Sequence, residues 1–274
     1  AAINVGMEVF AITQLTGDND VDPVSGISAA FVLAGGSQMV TDVDLGLYFV
    51  TAIGDFVWED INGDGLQDGE LANGIDGVSV SLLDGFGAQA VDTDNNPVPA
   101  QLTAGGGDYL FGNLAPGAYI VQFSLPTVGG FTWYATTFNA APLSNDSDAD
   151  PNNSFQSIVY NVGPDIIYNE NIDAGFIVPS NIGDFVWEDF NGNGIQGAAG
   201  IDGVTIRLLD DTGVQATGAD GLLVPDQITA VGGIYQFTLV TPGDYQVEFN
   251  LPAPIGGVNW YPTEFAIHTD ANDP

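Results

Sequence analysis

The stretch Ile53-Gly-Asp-Phe-Val-Trp-Glu-Asp60 decides the organisation of this chain, because it returns unchanged at residues 182–189. The sequence Asp-Leu-Gly at residues 44–46 returns as Asp-Ala-Gly at residues 173–175, at the same separation of 129 residues. A fixed period of this length indicates a tandem array of whole domains, each able to hold its own core. Such arrays are typical of stalks, fibres and surface adhesins, and they are uncommon among enzymes.

The complete repeat alternates apolar and polar residues over short segments, which is the pattern of half-buried β-strands. Glycine and proline turns separate these segments, and no stretch shows a convincing helical period. The predicted strands cover residues 53–60, 78–83, 109–111, 118–123, 155–162 and 171–178, with an apolar, aromatic segment at 131–138. About seven short strands in a repeat of this size predict an all-β fold of the β-sandwich type.

The two ends of the chain resemble parts of further repeats, so we expect three segments. Residues 1–51 correspond to the closing part of a sandwich, with strands at 28–33 and 41–50, and residues 52–180 form the complete repeat. Residues 181–274 correspond to the opening part of another repeat. A partial sandwich exposes sheet edges and a core face. We therefore expect either a section of a longer array, or strand addition in which the front strands of one subunit complete the open sandwich of the next.

The charge balance restricts the partners of this chain. It holds 36 Asp and Glu residues against one basic residue, Arg207, which gives a formal net charge of −35. This excludes nucleic acids and anionic membranes as partners, because both require basic patches. A composition that is 45% hydrophobic still supports a folded core. The surplus of carboxylates therefore indicates bound divalent cations, high external salt, or acidic residues that serve solubility alone.

Several other classes of protein do not fit the composition. The chain has no cysteine, so it forms no disulfide and no thiolate metal site. No apolar run approaches the roughly 18 residues that a membrane span needs, so we expect no membrane insertion. Residues 1–15 lack the pattern of a signal peptide. The one histidine, His268, and the lack of a nucleophile set or phosphate loop predict that this is not an enzyme.

Residues 60–68 carry the pattern of a calcium-binding loop of EF-hand type, with oxygen ligands at alternate positions around an obligatory glycine. The predicted ligands are Asp60, Asn62, Asp64, Leu66 through its carbonyl, Asp68 and Glu70. The closing position of such a loop falls on Leu71, so either Glu70 closes the site in altered geometry or a carboxylate such as Asp76 does. The alternative is an Asn-Asp-Gly turn that only requires glycine at positive φ.

Three further segments are candidate calcium sites. The matching loop of the second copy keeps the scaffold with less charge and offers Asp189, Asn191 and Asn193. Two acidic loops place three carboxylates at alternate positions, and these are Asp146, Asp148 and Asp150, and Asp18, Asp20 and Asp22. With no lysine in the chain, a cation is the obvious neutraliser, and a plain solvated acidic loop is the alternative. Four strand-end residues are placed to complete such sites: Asp44, Asp55, Asp173 and Asp184.

Separate motifs occur in order at residues 53–60, 62–68, 74–78, 109–111, 114–119, 146–148 and 172–175. Together they resemble the B-type repeats of bacterial serine–aspartate repeat surface proteins, known as the SdrD B-like domain. The resemblance covers nearly the whole chain and implies a secreted, calcium-binding sandwich of immunoglobulin-like or transthyretin-like type that acts as a rigid spacer. It places Asp60, Asn62, Asp64 and Asp68 on the calcium loop. The displaced Glu70 and the weakened second loop depart from the family pattern.

These features predict tandem β-sandwich repeats, with partial sandwiches at both chain ends, that form a structural unit of an extracellular filament or cell-surface stalk. Calcium makes the unit rigid, and its partners are copies of itself or adjacent repeats in a linear polymer. The alternative is a calcium-dependent adhesin that recognises a protein or glycan of a host or neighbouring cell. Its candidate contact residues are Trp133, Tyr134, Trp260 and Tyr261, although core packing is the competing role for them. A third hypothesis is an acidic matrix protein that stores calcium.

Overall fold

The computed structural model describes residues 21–22, 25, 27–31, 43–45, 47–67, 73–138, 145–197, 199–252 and 259–263. The chain divides into two compact units, residues 1–49 and residues 50–274. The described elements are β-strands together with one short 3-10 helix. The predicted all-β fold is therefore confirmed.

The first unit contains little regular structure in its described part. Val21 and Ser28 form an antiparallel bridge. Residues 43–45 and 47–49 pair with no strand, so the strand predicted over 41–50 is wrong in the part that the structure describes. A closing strand requires the opening strand of a sandwich as its partner, and the described residues of this unit contain none.

The second unit begins with a complete sandwich. Its strands are β1 (Thr51–Glu59), β2 (Ser79–Asp84), β3 (Gln101–Leu102), β4 (Asp108–Leu114), β5 (Gly117–Phe123), β6 (Tyr134–Ala135), β7 (Tyr160–Val162), β8 (Tyr168–Asn169) and β9 (Ala174–Ile177). One sheet has the order β4-β1-β9-β6, with β8 also paired to β1, and the other has the order β3-β2-β5-β7. Strand β1 runs antiparallel to β4 and parallel to β8 and β9. The first and last strands of the repeat therefore lie side by side.

The alternation of side chains along the strands builds the core between these two sheets. Tyr109 and Phe111 on β4 and Val121 and Phe123 on β5 are all buried. Tyr109 packs edge-on against Phe111 and Phe123, with ring centroids 5.9 and 5.7 Å apart. Such T-shaped contacts add to the stabilisation from burial alone. The aromatic residues that the sequence spaces at period two thus meet in the centre of the sandwich.

The second copy follows at once with five strands. They are β10 (Ser180–Phe185), β11 (Thr205–Asp210), β12 (Gln227–Ile228), β13 (Ile234–Val240) and β14 (Tyr245–Asn250). Strands β10 and β13 form one sheet, and β12, β11 and β14 form the other in that order. Ile182 pairs with Phe237 as Ile53 pairs with Phe111, and both pairings carry an irregularity at the same place. The described strands of this copy are the counterparts of β1 to β5.

The repeated Gly-Ile-Asp-Gly motif has the same structural role in both copies. A Cβ atom on Gly74 would overlap the carbonyl oxygen of Gly106, which explains why this position needs glycine. The Asp76 carboxylate accepts hydrogen bonds from the N–H groups of Gly106 and Gly107, both at 2.8 Å. In the second copy the Asp202 carboxylate accepts bonds from the equivalent glycines at 2.8 and 2.7 Å. The motif fastens the first long loop to the turn before β4 or β13.

Candidate cation sites and family membership

The predicted calcium loop begins where β1 ends, at the fully buried Asp60. Its carboxylate accepts hydrogen bonds from the N–H of Gly63 at 2.7 Å, from the N–H of Gly65 at 2.8 Å, and from the hydroxyl of Thr136. Gly63 and Gly65 have φ angles of 77° and 81°. This is the left-handed region that glycine adopts without strain. The spacing of Asp and Gly therefore wraps the backbone around one carboxylate.

The next two predicted ligands continue the same turn. The Asp64 carboxylate accepts bonds from the side-chain amide of Asn62 at 2.9 Å and from the N–H of Leu66 at 2.8 Å. Both Asn62 and Asp64 are exposed, so their oxygens are accessible to a cation from solvent. Asp68 and Glu70 lie outside the described residues. The Asp76 carboxylate is held at the Gly106–Gly107 turn by two backbone hydrogen bonds.

The acidic loop at residues 145–150 lies directly against the predicted calcium loop. Leu66 forms a bridge with Asp146, and the N–H of Gln67 donates to the carbonyl of Asn145 at 2.8 Å. Asp146 and Asp148 are buried, which does not fit the alternative of a plain solvated loop. Asp150 instead caps the 3-10 helix Pro151–Asn153 by accepting from the N–H of Asn152 at 2.8 Å.

The Asp148 side chain turns inward toward the residue that precedes β9. It accepts a hydrogen bond from the hydroxyl of Tyr160 at 2.5 Å and one from the N–H of Asp173 at 3.0 Å. Burial raises the pKa of Asp148 to about 7, and the negative charge of Asp146 adds to the rise. Sequence reasoning did not identify Tyr160, because no local pattern marks its hydroxyl as a partner of this carboxylate.

Asp55 on β1 and Asp173 before β9 form a second pair of interacting carboxylates. Burial raises the pKa of Asp55 to about 7 and that of Asp173 to about 10, and repulsion from Asp55 adds to the rise at Asp173. Asp173 is fully buried, whereas Asp55 is partly accessible. Asp55 accepts a bond from the N–H of Ile172 at 3.2 Å. The structure thus brings together two of the strand-end residues that the sequence marked.

The loop of the second copy repeats the geometry of the first in a more open setting. Asp189 accepts bonds from the N–H groups of Gly192 and Gly194, both at 2.8 Å, and from the hydroxyl of Thr263 at 2.6 Å. The bond from Thr263 is the largest cause that lowers the pKa of Asp189 to about 2. Asn193 accepts from the N–H of Ile195 at 2.9 Å, and Asn191 accepts from that of Asn193 at 3.3 Å.

Several predicted sites lie wholly or partly outside the described residues. Asp18 and Asp20 are not described, and Asp22 accepts a bond from the N–H of Ser25 at 2.8 Å. Across the described ranges, no group of three or more His, Cys, Asp or Glu side chains is arranged closely enough to hold a metal ion. The donors at the loop and beside β9 are oxygens only, which is the donor set of calcium and other hard cations.

The aromatic residues considered for ligand contact differ in exposure. Trp133 is buried in the core of the first sandwich, where its indole N–H donates to the carbonyl of Val128 at 3.1 Å. Tyr134 and Trp260 are half-buried, and Tyr261 is exposed. The competing role of core packing therefore applies to Trp133.

Comparison with known sequences identifies the family. The sequence model of the SdrD B-like domain matches residues 51–176 and 180–262. The chain belongs to the SdrD B-like domain family. This confirms the resemblance that the motifs carry, and the two matched ranges coincide with the two copies seen in the structure.

Named relatives of this SdrD B-like chain come from several organisms. It is 35% identical to serine-aspartate repeat-containing protein D of Staphylococcus aureus (strain Newman) over 74% of the chain and 14% of that protein. It is 32% identical to serine-aspartate repeat-containing protein F of Staphylococcus epidermidis over 73% of the chain and 11% of that protein. It is 31% identical to Colossin-B of Dictyostelium discoideum over 74% of the chain and 6% of that protein. The chain thus spans a small part of each of these relatives.

Solved structures give a weaker likeness. The structure of a streptococcal ancillary pilin aligns with 89% of the chain and 68% of the pilin, at 16% identity and a TM-score of 0.31. The shaft pilin SpaA of Lactobacillus rhamnosus GG aligns with 76% of the chain and 89% of the pilin, at 11% identity and a TM-score of 0.28. Within the described residues of the SdrD B-like chain, no helix has the length and apolar character to cross a membrane.

Proposed function

We propose that this chain is a structural repeat unit of an extracellular filament or cell-surface stalk, made rigid by calcium and assembled linearly with copies of itself or adjacent repeats. Residues 1–51 act in it as the closing part of a sandwich, and residues 52–180 form a complete sandwich. Residues 181–274 act as the opening part of another sandwich. The unit performs no catalysis. The observation that carries the proposal is a contrast between the two copies: β9 lies beside β1 in the first copy, and the described residues of the second copy contain no counterpart of β9.

The open sandwich exposes side chains that its complete counterpart buries. Phe123 on β5 is 3% exposed, whereas the equivalent Phe249 on β14 is 48% exposed. Val57 and Trp58 are fully buried beside β9, whereas the equivalent Val186 and Trp187 are only partly buried. In the first copy β7 pairs with β5, and β9 pairs with β1. Strands equivalent to β7 and β9 would therefore cover these side chains in the second copy.

The first unit carries sequence that matches the closing part of the first copy. Residues 44–46 repeat residues 173–175, which lead into β9, and residues 18–22 repeat the acidic loop. Leu47 is 85% exposed and Phe49 is 66% exposed. Exposed apolar side chains on a segment that is not part of a strand favour its addition to a sheet edge of another subunit. This arrangement supports assembly by strand complementation.

Calcium supplies the rigidity in this proposal. The oxygen-only donor sets of the two loops suit a hard cation, and the chain has no lysine to neutralise its carboxylates. Extracellular modules bind calcium in the range of about 10⁻⁴–10⁻³ M, which external fluids supply. The strongly negative charge and the calcium loops together support a location outside the cell, as a secreted or surface protein.

The test is assembly of the purified chain in calcium and in chelator, followed by electron microscopy and sedimentation. We expect linear polymers in calcium from the natural sequence. Leu47→Asp should abolish them, because a charge replaces the apolar residue that enters the open sandwich. Leu222→Asp is the matched control, since Leu222 is 66% exposed and lies between strands of the second copy.

Discrete monomers from the natural chain at every calcium level would contradict self-assembly. Polymers that survive Leu47→Asp would contradict donation by the first unit, and would point to closure by an adjacent repeat instead. Polymers that form equally well in chelator would contradict the role of calcium. Each part of the proposal therefore fails on a different result.

A further inference from the structure

The two copies of the repeat, which both lie in the second unit, touch at the loop that follows β1. A Cβ atom added to Gly63 in this loop would lie 2.7 Å from the carbonyl oxygen of Pro242 and 3.6 Å from its Cβ atom. Real Cβ atoms do not approach an oxygen that closely, so glycine at this position lets the two backbones pack together. Pro242 and Gly243 form the turn between β13 and β14. The Pro-Gly turn of the second copy therefore lies against the loop of the first.

The strand directions explain why a loop and a turn meet. Strand β1 starts at the turn end of the first sandwich, where Thr51 pairs with Leu114, and it ends at the loop. Because β9 runs parallel to β1, it also ends at the loop end. Strand β10 then begins beside the turn of the second copy, where Ser180 pairs with Val240. The chain thus passes from the loop end of one copy to the turn end of the next.

Each copy contains both halves of this contact. The hydroxyl of Tyr245 donates to the carbonyl of Thr241 at 2.8 Å and fixes the turn of the second copy. In the first copy the hydroxyl of Tyr119 donates to the carbonyl of Ala115, also at 2.8 Å, and fixes the turn Pro116–Gly117 in the same way. The loops of the two copies share their backbone hydrogen bonds as well. The contact inside the chain uses the loop of the first copy and the turn of the second, which leaves one loop and one turn.

The remaining loop and the remaining turn are both accessible in the part of the chain that the structure describes. A Cβ atom added to Gly192, the counterpart of Gly63, would have no described atom within 4 Å. Phe190 in the same loop is 78% exposed. Phe86 is 99% exposed, and it lies at the turn end of the first sandwich because Asp84 pairs with Tyr119. An exposed aromatic side chain at each of the two ends favours their association.

The spacing of the motifs lets a second chain repeat the connection between the copies. Residues 47–52 join the closing motif at 44–46 to the opening motif at 53–60, and residues 176–181 join the same two motifs further along. The two connections have the same length, because both motifs recur at 129 residues. A second chain whose residues 1–51 close the second copy would place its own complete sandwich next in line. The turn of that sandwich would then face the remaining loop.

We propose that the Pro116–Gly117 turn of a second copy of this chain docks on the loop of residues 189–194. The inference rests on the linear assembly of the proposed function, and it adds the contact that orients one chain on the next. The contact joins two different surfaces of the same protein. Such a head-to-tail interface extends into an open filament unless its rotation closes a ring.

Engineered cysteines test the contact, because the chain has none of its own. Chains with Gly192→Cys are mixed with chains with Pro116→Cys, under the conditions in which the natural chain polymerises, and are then oxidised. We expect a covalent dimer on non-reducing electrophoresis that is lost on reduction. The calibration is a single chain with Gly63→Cys and Pro242→Cys, whose Cβ separation of 3.6 Å suits a disulfide.

Asn153→Cys is the matched control for the partner chain. Asn153 is exposed on the same sandwich, in the 3-10 helix at the end of β5 that is remote from the turn, where the N–H of Phe123 donates to the carbonyl of Phe155. Mixed with Gly192→Cys, this variant should give no more covalent dimer than either variant gives alone. If Gly192→Cys does not fold, Asn191→Cys replaces it, because Asn191 is the exposed neighbour in the same loop.

The outcomes separate this inference from the proposed function. A dimer that is specific to Pro116→Cys supports docking of the turn on the loop. Polymers in which Gly192→Cys links no better to Pro116→Cys than to Asn153→Cys overturn the docking and leave the linear assembly standing. A chain that forms no polymers overturns the linear assembly and the docking together. Failure of the calibration pair to close overturns the loop–turn contact itself.

Discussion

The two copies of the repeat share their opening strands and differ in how those strands are closed. Strand β1 runs from Thr51 to Glu59, whereas β10 runs from Ser180 and stops at Phe185, although the two sequences are identical over residues 53–60 and 182–189. The extra residues of β1 are those that pair with β9. Identical sequence thus forms a longer strand where a closing strand lies beside it. The lesson is that the motif determines the local turn, while long-range pairing determines strand length and burial.

The largest expected difference concerns the two equivalent phenylalanines. Phe123→Ala should lower the free energy of unfolding by about 3–5 kcal/mol, because it removes a large buried side chain and leaves a cavity. Phe249→Ala should cost about 1 kcal/mol in the monomer, because nearly half of this side chain is already exposed. Urea-induced unfolding measures both values. Equal costs would break the comparison and show that the second sandwich is closed in solution.

The next contrast concerns the first predicted ligand of each candidate calcium loop. Asp60→Asn should lower the free energy of unfolding by about 2 kcal/mol, because the buried carboxylate accepts three hydrogen bonds and an amide cannot accept them all. Asp189→Asn should cost less, because this residue is only half-buried. Thermal unfolding in chelator compares the two variants without metal. A larger loss of stability in Asp189→Asn than in Asp60→Asn would mean that burial of this carboxylate does not control how much each loop contributes to stability.

A third pair of variants should behave alike and so sharpens the comparison. The hydroxyl of Thr103 donates to the carbonyl of Ile75 at 2.5 Å and accepts from the N–H of Val78 at 3.0 Å. Thr229 makes the equivalent bonds at 2.7 and 2.9 Å. Thr103→Val and Thr229→Val should each lower the free energy of unfolding by about 1–2 kcal/mol, because two backbone groups lose their hydrogen-bond partner. Clearly unequal losses in urea-induced unfolding would show that the opening strands also differ between the copies.

The last predicted contrast is a dependence of stability on pH that belongs to the first copy. The pKa values of Asp55 and Asp148 are raised to about 7, chiefly by burial, with Asp108 and Glu170 adding repulsion at Asp55. The folded state therefore binds protons more tightly than the unfolded chain, so stability should rise as pH falls from 8 to 5. We expect this gain in chelator, mostly between pH 7 and pH 5, and thermal unfolding at each pH measures it.

Two controls help to assign the pH dependence to Asp55 and Asp148. Asp76 and Asp189 have lowered pKa values and stay ionised at pH 5, so the stability that they contribute is lost only at lower pH. In calcium the trend should weaken or reverse, because protons then compete with the ion. A chain that loses stability steadily from pH 8 to 5 in chelator would contradict the raised pKa values.

The sequence predicted the strands whose side chains alternate and missed those that are too short to show a period. Residues 78–83 and 118–123 were predicted as strands and lie almost entirely within β2 and β5. Strands β3 and β8 have two residues each, so they carry no pattern and depend on their neighbours. The strand predicted over 155–162 forms only at Tyr160–Val162, because the backbone at Ser154 and Phe155 has positive φ after the 3-10 helix.

The candidate sites also divide into those that local spacing predicts and those that depend on long-range contacts. Asp60 and Asp64 hold their loop through bonds to residues within five positions, so spacing alone predicted that turn. The burial of Asp148 and Asp173 depends on contacts between β1, the acidic loop and β9, which lie far apart in sequence. Spacing marked these carboxylates as candidates, but only the folded sandwich shows which of them face inward.

The parallel pairing of β1 with β9 has a mechanical consequence. Tension along the chain would act on the start of β1, at Thr51, and on the end of β9, at Ile177. Because these neighbouring strands point the same way, pulling the two ends apart slides one strand along the other and loads their hydrogen bonds together in shear. A pair loaded in this direction resists force better than one whose bonds open in turn. The complete repeat should therefore extend less under load than the second copy, whose described residues contain no counterpart of β9.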